Sequence, residues 1–351
     1  MIETPFSICP EILSFAGCAE AKAQAAFSTI DTLEQYNGMK VLKAFLDHGV
    51  STAHLSGSTG YGYGDIGRET LDAVFASAFG AEDALVRHSF VSGTHALTVG
   101  LFGLLRPGDT LLSLTGSPYD TLEEVIGIRD SGRNDGSLSD WGVQYRQIEL
   151  KNGKIDLVEA ADAAKSAAVA YIQRSRGYSL RPSLSVEEIA EAVRVVKASN
   201  PGILVMVDNC YGEFTERAEP TAAGADLIAG SLIKNPGGGI APTGGYIAGK
   251  RKFVDLVSYR LTSPGIGAEV GSYAGSYQPF YQGLFMAPHT VAQAVKSAIL
   301  ASRAFELLGF DVNPHYDAPR NDIIEAIRFG DADKLIRFIQ AIQMCSPVDA
   351  E

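Results

Sequence analysis

Short runs of apolar residues, each about the length of a strand, recur along the chain with helical patterns between them. The runs lie at residues 84–91, 111–114, 143–148, 169–172, 203–207 and 227–229. The clearest helical pattern, residues 185–199, opens with Ser185 and Glu188 in capping-box spacing and is expected to stop at Asn200. Strands that alternate with helices predict an α/β fold with a mostly parallel, doubly wound sheet.

The two ends of the chain differ from this alternating middle. Residues 18–48 have a helical pattern that Asn37 and Gly38 are expected to interrupt and Gly49 to end. Strand-like runs thin out after Pro288, and two amphipathic helices are predicted at 291–308 and 331–344. We therefore predict a helical arm over residues 1–55, a large domain over 56–287 and a smaller C-terminal domain over 288–351.

Composition and charge narrow the classes of partner. The net charge is −12, from 29 basic and 41 acidic residues, which argues against nucleic acid and anionic membranes. No apolar run reaches the roughly 18 residues that a membrane helix needs, and the N-terminus lacks the pattern of a signal peptide. The four cysteines have no metal or redox spacing and indicate a cytoplasmic protein: Cys9, Cys18, Cys210 and Cys345.

Two charged residues stand at the ends of apolar runs, where packing alone gives no reason for a charge. Lys234 closes the run 226–233, and Asp208 follows the run 203–207. Isolated buried charges are costly, and ligands of open α/β sheets bind at strand ends. The pair indicates an amine nucleophile and an anionic partner for a cationic ring nitrogen, which are the needs of pyridoxal phosphate (PLP). The competing interpretation is that Lys234 is an ordinary surface lysine and that Asp208 only forms a turn or caps a helix.

We expect Lys234 to form a Schiff base, for which its amine must be neutral. Partial burial beside cationic neighbours is expected to lower its pKa and so to favour the neutral form.

The segment Ser92, Gly93, Thr94 precedes a predicted helix and has the residue types of a phosphate site. An ordinary helix cap by Ser92 or Thr94 explains the same pattern, and both can hold together. Ser231 could give the phosphate another hydroxyl. Tyr119, after the run 111–114, either stacks on a cofactor ring or covers the edge of the core.

Three further patterns suggest other chemistry. Gly62, Gly64 and Gly67 satisfy a dinucleotide-binding pattern, but no β-branched strand precedes them. The tyrosines Tyr61 and Tyr63 of that loop fit a segment that covers a ligand or bridges two subunits. Ser231-Leu-Ile-Lys matches the Ser-x-x-Lys pattern of serine acylases without its companion motifs, and Cys210 could be a nucleophile only beside a base.

Five segments, in this order, together resemble the methionine gamma-lyase-like, aluminium-resistance branch of the cysteine/methionine-metabolism PLP enzymes, which are of fold type I. The segments are Tyr61-Gly-Tyr-Gly-Asp-Ile-Gly-Arg-Glu-Thr, Ser92-Gly-Thr-His-Ala, Thr115-Gly-Ser-Pro-Tyr-Asp-Thr-Leu-Glu-Glu, Val207-Asp-Asn-Cys-Tyr-Gly-Glu-Phe and Ser231-Leu-Ile-Lys-Asn-Pro-Gly-Gly-Gly. The resemblance implies a three-layer α/β/α fold of the PLP-dependent transferase type.

The resemblance also implies a role for each matching residue. Lys234 would hold PLP and later move the protons of the substrate, and Asp208 would pair with the pyridine nitrogen. Tyr119 would stack on the ring, and the phosphate would be bound by Gly93, Thr94 and Ser231, with Ser92 beside them. In better-known relatives a Tyr and an Arg of the partner subunit's loop also reach the phosphate; here the loop offers Tyr61 and Tyr63, with Arg68 nearby. A homodimer or homotetramer is therefore expected.

The substrate carboxylate has no obvious partner. Related enzymes draw an arginine from a C-terminal domain that continues beyond the segment 346–349, so this part is expected to be missing here. Arg174, Arg176 and Arg260 are the internal alternatives, because guanidinium matches a carboxylate in two hydrogen bonds.

The function expected from these parts is that of a PLP-dependent carbon–sulfur lyase that acts on a small-molecule sulfur amino acid, of the methionine gamma-lyase or cystathionine lyase type. An aminotransferase, a γ-replacement enzyme and a catalytically impaired PLP-binding protein that lacks its C-terminal part remain alternatives. A serine acylase and a NAD-dependent reductase are more distant ones.

Overall fold

The computed structural model describes residues 5–129 and 135–350, and its centre is a seven-stranded sheet. The sheet strands are β1 (Asp83–Arg87), β2 (Thr110–Ser113), β3 (Gln144–Gln147), β6 (Val169–Gln173), β7 (Leu204–Asp208), β8 (Leu227–Ser231) and β9 (Gly245–Gly249). Two small pairs lie outside it: β4 (Leu150–Lys151) with β5 (Lys154–Ile155), and β10 (Asp311–Asn313) with β11 (Ala326–Arg328).

The strand order in the large sheet is β1-β9-β8-β7-β6-β2-β3. The pairs from β8 to β3 are parallel, whereas β9 is antiparallel to both of its neighbours. The prediction of a mostly parallel sheet is thus confirmed. The reversed strand β9 was missed, because its sequence Gly245-Tyr-Ile-Ala-Gly is too rich in glycine to stand out as an apolar run.

The helices are α1 (Pro10–Asp47), α2 (Ile66–Ala78), α3 (Gly93–Leu104), α4 (Asp120–Ile126), α5 (Leu157–Ala164), α6 (Val186–Ser199), α7 (Arg251–Leu261), α8 (Gln278–Leu307) and α9 (Ala332–Met344). Short 3-10 turns lie at Thr52–Leu55, Asn235–Gly237 and Gly267–Glu269. The capping box that predicts α6 is present, with Ser185 and Glu188 bonding each other's backbone N–H groups. None of the helices among the described residues is both long and apolar enough to cross a membrane.

The expected interruption of the N-terminal helix is wrong, because α1 runs without a break through Asn37 and Gly38. Asn37 is fully buried, and its side-chain amide donates to the backbone oxygens of Phe214 (3.0 Å) and Glu216 (3.1 Å). These tertiary hydrogen bonds occupy a side chain that would otherwise compete with the helix for its own backbone.

The core of the sheet is made of strands buried on both faces, as parallel strands usually are. Helix α3 lays Leu97 and Leu101 onto the sheet, and α7 adds Val254 and Val257. At Gly103 of α3 a side chain would come within 2.8 Å of Val257, so the close contact of these two helices requires glycine.

The chain divides into two compact units. One comprises residues up to 29, 296–319 and from 325 onward; the other comprises 30–295 and 320–324. In the first unit, Phe305, Phe310, Phe329 and Phe338 form a cluster of aromatic contacts with ring centroids 4.9–5.8 Å apart. The divisions fall at other positions than 55 and 287, and the predicted domain boundaries stay predictions.

Candidate active site

The predicted site residues lie at one edge of the sheet. Strands β2, β6, β7 and β8 are mutually parallel along the sheet, so their carboxyl ends share that edge. Asp208 is the last residue of β7, and its Cα pairs with that of Gln173, the last residue of β6. Ser231 ends β8, and Lys234 follows it. This placement brings the sequence-predicted lysine and aspartate to adjacent strand ends.

The start of α3 packs directly on the end of β8. A Cβ atom at Gly93 would lie 3.2 Å from the Cβ of Ser231 and 3.4 Å from the Sγ of Cys210. Glycine therefore keeps a small space open where the first turn of α3 meets Ser231. The first backbone N–H groups of a helix have no partner within the helix, so this space is lined by donors suited to an anion.

The hydroxyls around this space have different tasks. Ser92 is the N-cap of α3, and its Oγ accepts the backbone N–H of His95 at 3.1 Å. Thr94 Oγ1 instead accepts a hydrogen bond from the Tyr119 hydroxyl at 3.0 Å. The cap interpretation thus holds for Ser92, while Thr94 and Tyr119 join the start of α3 to the loop after β2.

Tyr119 is held by a second contact as well. Its backbone N–H donates to Oε1 of Gln173 at 3.1 Å, which ties the loop to the end of β6. The side chain is half-buried, and burial raises the pKa of its phenol above the usual value. Tyr119 is therefore a neutral aromatic side chain that reaches from the end of β2 to Thr94.

Asp208 is only 4% exposed, and both of its carboxylate oxygens accept hydrogen bonds. Oδ1 accepts the backbone N–H of Cys210 at 3.0 Å, and Oδ2 accepts the hydroxyl of Tyr171 at 3.4 Å. Burial raises the pKa of Asp208, although the positive charge of Lys234 opposes this. A further cation beside Asp208 would stabilise its ionised form.

Lys234 is half-buried, and its Nζ lies 4.0 Å from the ring centroid of Tyr211. Burial by itself lowers the pKa of Lys234, but the acidic groups around it, Cys210 and Asp208 first among them, raise it by more. The expectation of a lowered pKa is therefore wrong. It assumed cationic neighbours, whereas the structure surrounds the amine with acidic groups and an aromatic ring.

The structure shows the contacts of the four arginines that the sequence offered as partners of a phosphate or a carboxylate. Arg68 is buried and donates to the backbone oxygens of Glu269 and Gly271 (both 3.1 Å), so its guanidinium supports a loop. Arg260 lies over the rings of Phe102 and Trp141, near the far end of α3. Neither of these two fits the role considered for it.

The other two arginines follow β6. Arg174 is fully buried and bonds Asn209, Gly212 and Glu216 at 2.8 Å each, which leaves it no access to a ligand. Arg176 lines a polar cavity of about 580 Å³ together with Tyr119, Gln173 and other residues of the loops after β2 and β6. Among the internal candidates, Arg176 is the one beside the predicted ring-stacking tyrosine.

Tyr61 and Tyr63 lie on an exposed loop that is held by backbone hydrogen bonds to the segment 271–273. They are 78% and 68% exposed, with ring centroids 6.0 Å apart. The backbone N–H of Gly271 donates to the backbone oxygen of Tyr61 at 3.0 Å, and the backbone N–H of Ser58 donates to the backbone oxygen of Tyr273 at 3.0 Å. A short 3-10 turn, Thr52–Leu55, precedes the glycine motif in place of a strand, so the dinucleotide-binding interpretation is wrong.

Two other patterns also lose support. Ser231 ends a strand and Lys234 precedes a 3-10 turn, whereas the serine acylase motif belongs at the start of a helix. Burial raises the pKa of the Cys210 thiol well above its usual value, which argues against a nucleophilic thiolate.

Glu213 was not selected from the sequence, although it is a buried ionisable group close enough to Lys234 to affect its pKa. Its Oε1 accepts the hydroxyl of Tyr246 at 2.9 Å, while Oε2 has no hydrogen-bond partner among the residues that the structure describes. Burial raises the pKa of Glu213 to about 8. The sequence signals are its position five residues after Asp208 and its place in the segment 207–214, one of the five that carry the family resemblance.

The raised pKa of Glu213 predicts a pH-dependent stability. The Glu213 carboxyl has a pKa near 4.5 in the unfolded chain and about 8 in the folded chain. Its contribution to the free energy of unfolding is therefore fully present below pH 4.5 and is lost as pH rises to about 8. Within this window the stability falls by up to about 1.4 kcal/mol per pH unit. In urea unfolding, the free energy of unfolding of wild type should fall from pH 5 to pH 8 by more than that of Glu213→Gln, which has no carboxyl to ionise at this position. The exposed Glu124→Gln serves as control, and parallel pH profiles for wild type and Glu213→Gln would contradict the assignment.

Comparisons with known proteins show the family and the fold of this chain. The sequence profile of the family described as methionine gamma-lyase matches residues 12–351. The chain is 51% identical to the uncharacterized protein YnbB of Bacillus subtilis (strain 168), over 94% of this chain and 79% of that protein.

Two solved structures place the fold. A carbon-sulfur lyase involved in aluminum resistance from Clostridium novyi NT superimposes with a TM-score of 0.95 at 51% identity, covering 98% of this chain and 82% of that one. The pyridoxal-5'-phosphate-dependent protein YhfS from Escherichia coli superimposes with a TM-score of 0.65 at 17% identity, over 92% of this chain and 83% of that one. The second likeness shows the fold alone, which is that of PLP-dependent enzymes of fold type I.

Proposed function

Because this chain belongs to the methionine gamma-lyase family, a family of PLP-dependent carbon–sulfur lyases, we propose that it cleaves the carbon–sulfur bond of a sulfur amino acid. The products would be a thiol, a 2-oxo acid and ammonia. The observation that carries the proposal is the placement of Lys234 and Asp208 at adjacent strand ends, beside the space that Gly93 keeps open against Ser231.

The residues at this edge fit PLP. The phosphate would lie at the start of α3, bound by the backbone of Gly93 and Thr94 and by the Ser231 hydroxyl, where a Cβ at position 93 would intrude. The buried Asp208 carboxylate, whose pKa is raised by burial, would receive the protonated ring nitrogen. Tyr119 would cover the ring. When bound, the cofactor supplies an electron sink for the carbanion formed at the substrate's α-carbon.

Lys234 would attach the cofactor through its amine and, once the substrate amine has replaced it, would take the α-proton as a general base. Both tasks require a neutral amine. Since the pKa of free Lys234 is raised, its ammonium has to lose a proton first. Attachment is therefore expected to accelerate as pH rises.

Arg176 is our proposal for the partner of the substrate carboxylate. It lines the polar cavity of about 580 Å³ that begins at Tyr119 and Gln173, at the carboxyl ends of β2 and β6. Its position is fixed by its backbone N–H, which donates to Oδ2 of Asp322 at 3.1 Å, and by its Nε, which donates to the Ser179 oxygen at 3.1 Å. A guanidinium held in this way suits bidentate recognition of a carboxylate.

We propose further that the active form is a homodimer or a homotetramer. Tyr61 and Tyr63 are large, exposed aromatic side chains on an anchored loop, which is the composition of an interface. The loop would complete the phosphate site of a neighbouring subunit. Size-exclusion chromatography with in-line activity measurement tests this, and an active monomer would contradict it.

The experiment that tests the function is an assay of products from L-methionine and L-cystathionine. γ-Elimination of L-methionine consumes one water and gives methanethiol, 2-oxobutanoate and ammonia. Thiol and ammonia released in equal amounts from either substrate support the proposal. A 2-oxo acid formed without a thiol would indicate an aminotransferase instead, and the absence of elimination from every sulfur amino acid tried would overturn the lyase assignment.

A further inference from the structure

Tyr211 has an unusual backbone conformation and an unusual neighbour. Its φ of 70° lies in the left-handed region, which side chains larger than glycine rarely adopt. The conformation turns the ring towards Lys234, whose Nζ lies 4.0 Å from the ring centroid. An ammonium within about 6 Å of the centroid is attracted by the negative face of the ring. A strained residue that meets the reactive amine indicates a functional constraint.

A buried arginine holds the turn that carries Tyr211. Arg174 Nη1 donates to the side-chain oxygen of Asn209 and to the backbone oxygen of Gly212, both at 2.8 Å, so it bonds the residues on either side of the turn. The backbone N–H of Gly212 also donates to the backbone oxygen of Asn209 at 2.9 Å. A Cβ at Gly212 would lie 2.6 Å from Cδ of Arg174, so the turn closes tightly on the guanidinium. Arg174 thus fixes the left-handed conformation of Tyr211.

We propose that Tyr211 is a positioning residue whose ring face holds the Lys234 ammonium whenever that amine is free. The inference rests on the proposed role of Lys234 as the reactive amine. In the part of the cycle in which the substrate occupies the cofactor, the amine of Lys234 is released and needs a fixed location from which it can act and return. The ring of Tyr211 provides that location beside the ends of β7 and β8, where Asp208 and Ser231 lie.

The ring face, and not the hydroxyl, is the group that meets the amine, and the two can be separated by substitution. Tyr211→Phe keeps the ring and removes the hydroxyl. Tyr211→Leu removes the ring but stays apolar, and Tyr211→Asn removes it with a side chain that tolerates the left-handed backbone. The Asn variant keeps the test decisive if the Leu variant fails to fold.

The readout is the pKa of Lys234 in the full-length protein freed of cofactor, so it needs no turnover. Lys234 is acetylated with a trace of acetic anhydride across a pH series, and its labelling is quantified by mass spectrometry against the exposed Lys22 in the same digest. Without the ring the ammonium loses stabilisation, so its pKa falls and the amine becomes more reactive. We expect Lys234 labelling near neutral pH to rise about 3- to 10-fold in Tyr211→Leu and Tyr211→Asn, and to remain at the wild-type level in Tyr211→Phe.

Equal labelling of Lys234 in wild type and both ring-free variants would overturn the proposal. A Phe variant that behaves like the ring-free variants would also overturn it, because the hydroxyl would then be the active group. Since the measurement is independent of elimination, failure of the lyase assignment and failure of this inference give different results.

Discussion

Replacing Lys234 with alanine is expected to abolish covalent attachment of PLP and to lower kcat by at least about 10³-fold, since both the anchoring amine and the general base are lost. The groups that raise the pKa of Lys234 offer no second amine, because Cys210, Asp208, Tyr211 and Glu213 are all acidic. The cofactor could still bind through its phosphate at the start of α3. The variant should therefore bind PLP reversibly without turning over.

The measurement has two parts. The visible absorbance band of the enzyme with PLP should be lost or shifted in Lys234→Ala, and borohydride reduction should add the mass of the cofactor to the peptide that contains Lys234 in wild type only. Lys252→Ala is the matched control, because Lys252 also lies over an aromatic ring, 4.5 Å from the centroid of Phe253, but on α7. An unchanged spectrum in Lys234→Ala would overturn the whole site assignment.

The second large effect is expected for Asp208→Asn. The amide keeps the shape and can still accept the Cys210 N–H, but it carries no charge to hold a protonated ring nitrogen. Removing a preorganised electrostatic partner typically costs on the order of 10²–10³ in kcat. Since Lys234 is untouched, covalent attachment should persist, which distinguishes this variant from Lys234→Ala.

Stability provides the control for Asp208→Asn. Because burial raises the pKa of Asp208, the protein loses stability as pH rises through the pKa of Asp208 in the folded state. The Asp208→Asn variant carries no charge there, so at neutral pH it should unfold no more easily than wild type. The exposed Asp47→Asn is the matched surface variant. If Asp208→Asn keeps full kcat, Asp208 does not contact the ring nitrogen; if it unfolds at low denaturant, the burial argument fails.

The residues of this candidate site could be selected from the sequence because strand ends and helix starts leave local signals. A charge after an apolar run, as at Asp208 and Lys234, is visible in one dimension and follows from the cost of burying charge. Ser92-Gly-Thr before a helix likewise predicts the start of α3. The mostly parallel sheet and membership of the PLP-enzyme family, both expected from the sequence, are confirmed.

The features that escaped prediction depend on contacts between distant segments. The raised pKa of Lys234 comes from the residues that the turn after β7 brings to it, and Arg174 reaches Asn209 and Gly212 across the end of the sheet. Helix α1 continues through Asn37, whose side-chain amide hydrogens are accepted by residues of a remote loop. Tertiary hydrogen bonds of this kind override local propensity, and no local pattern encodes them.

The arrangement of the site on several strand ends links cofactor binding to folding of the whole sheet. Gly93 and Ser231 are far apart in the chain and meet only when α3 has packed on β8, so no short segment can bind PLP in the same way. A ligand that binds the folded state alone stabilises it by about 2.7 kcal/mol at a hundred times its Kd. If PLP binds as proposed, its concentration relative to Kd would therefore also set how much of this protein is folded and so resists proteolysis.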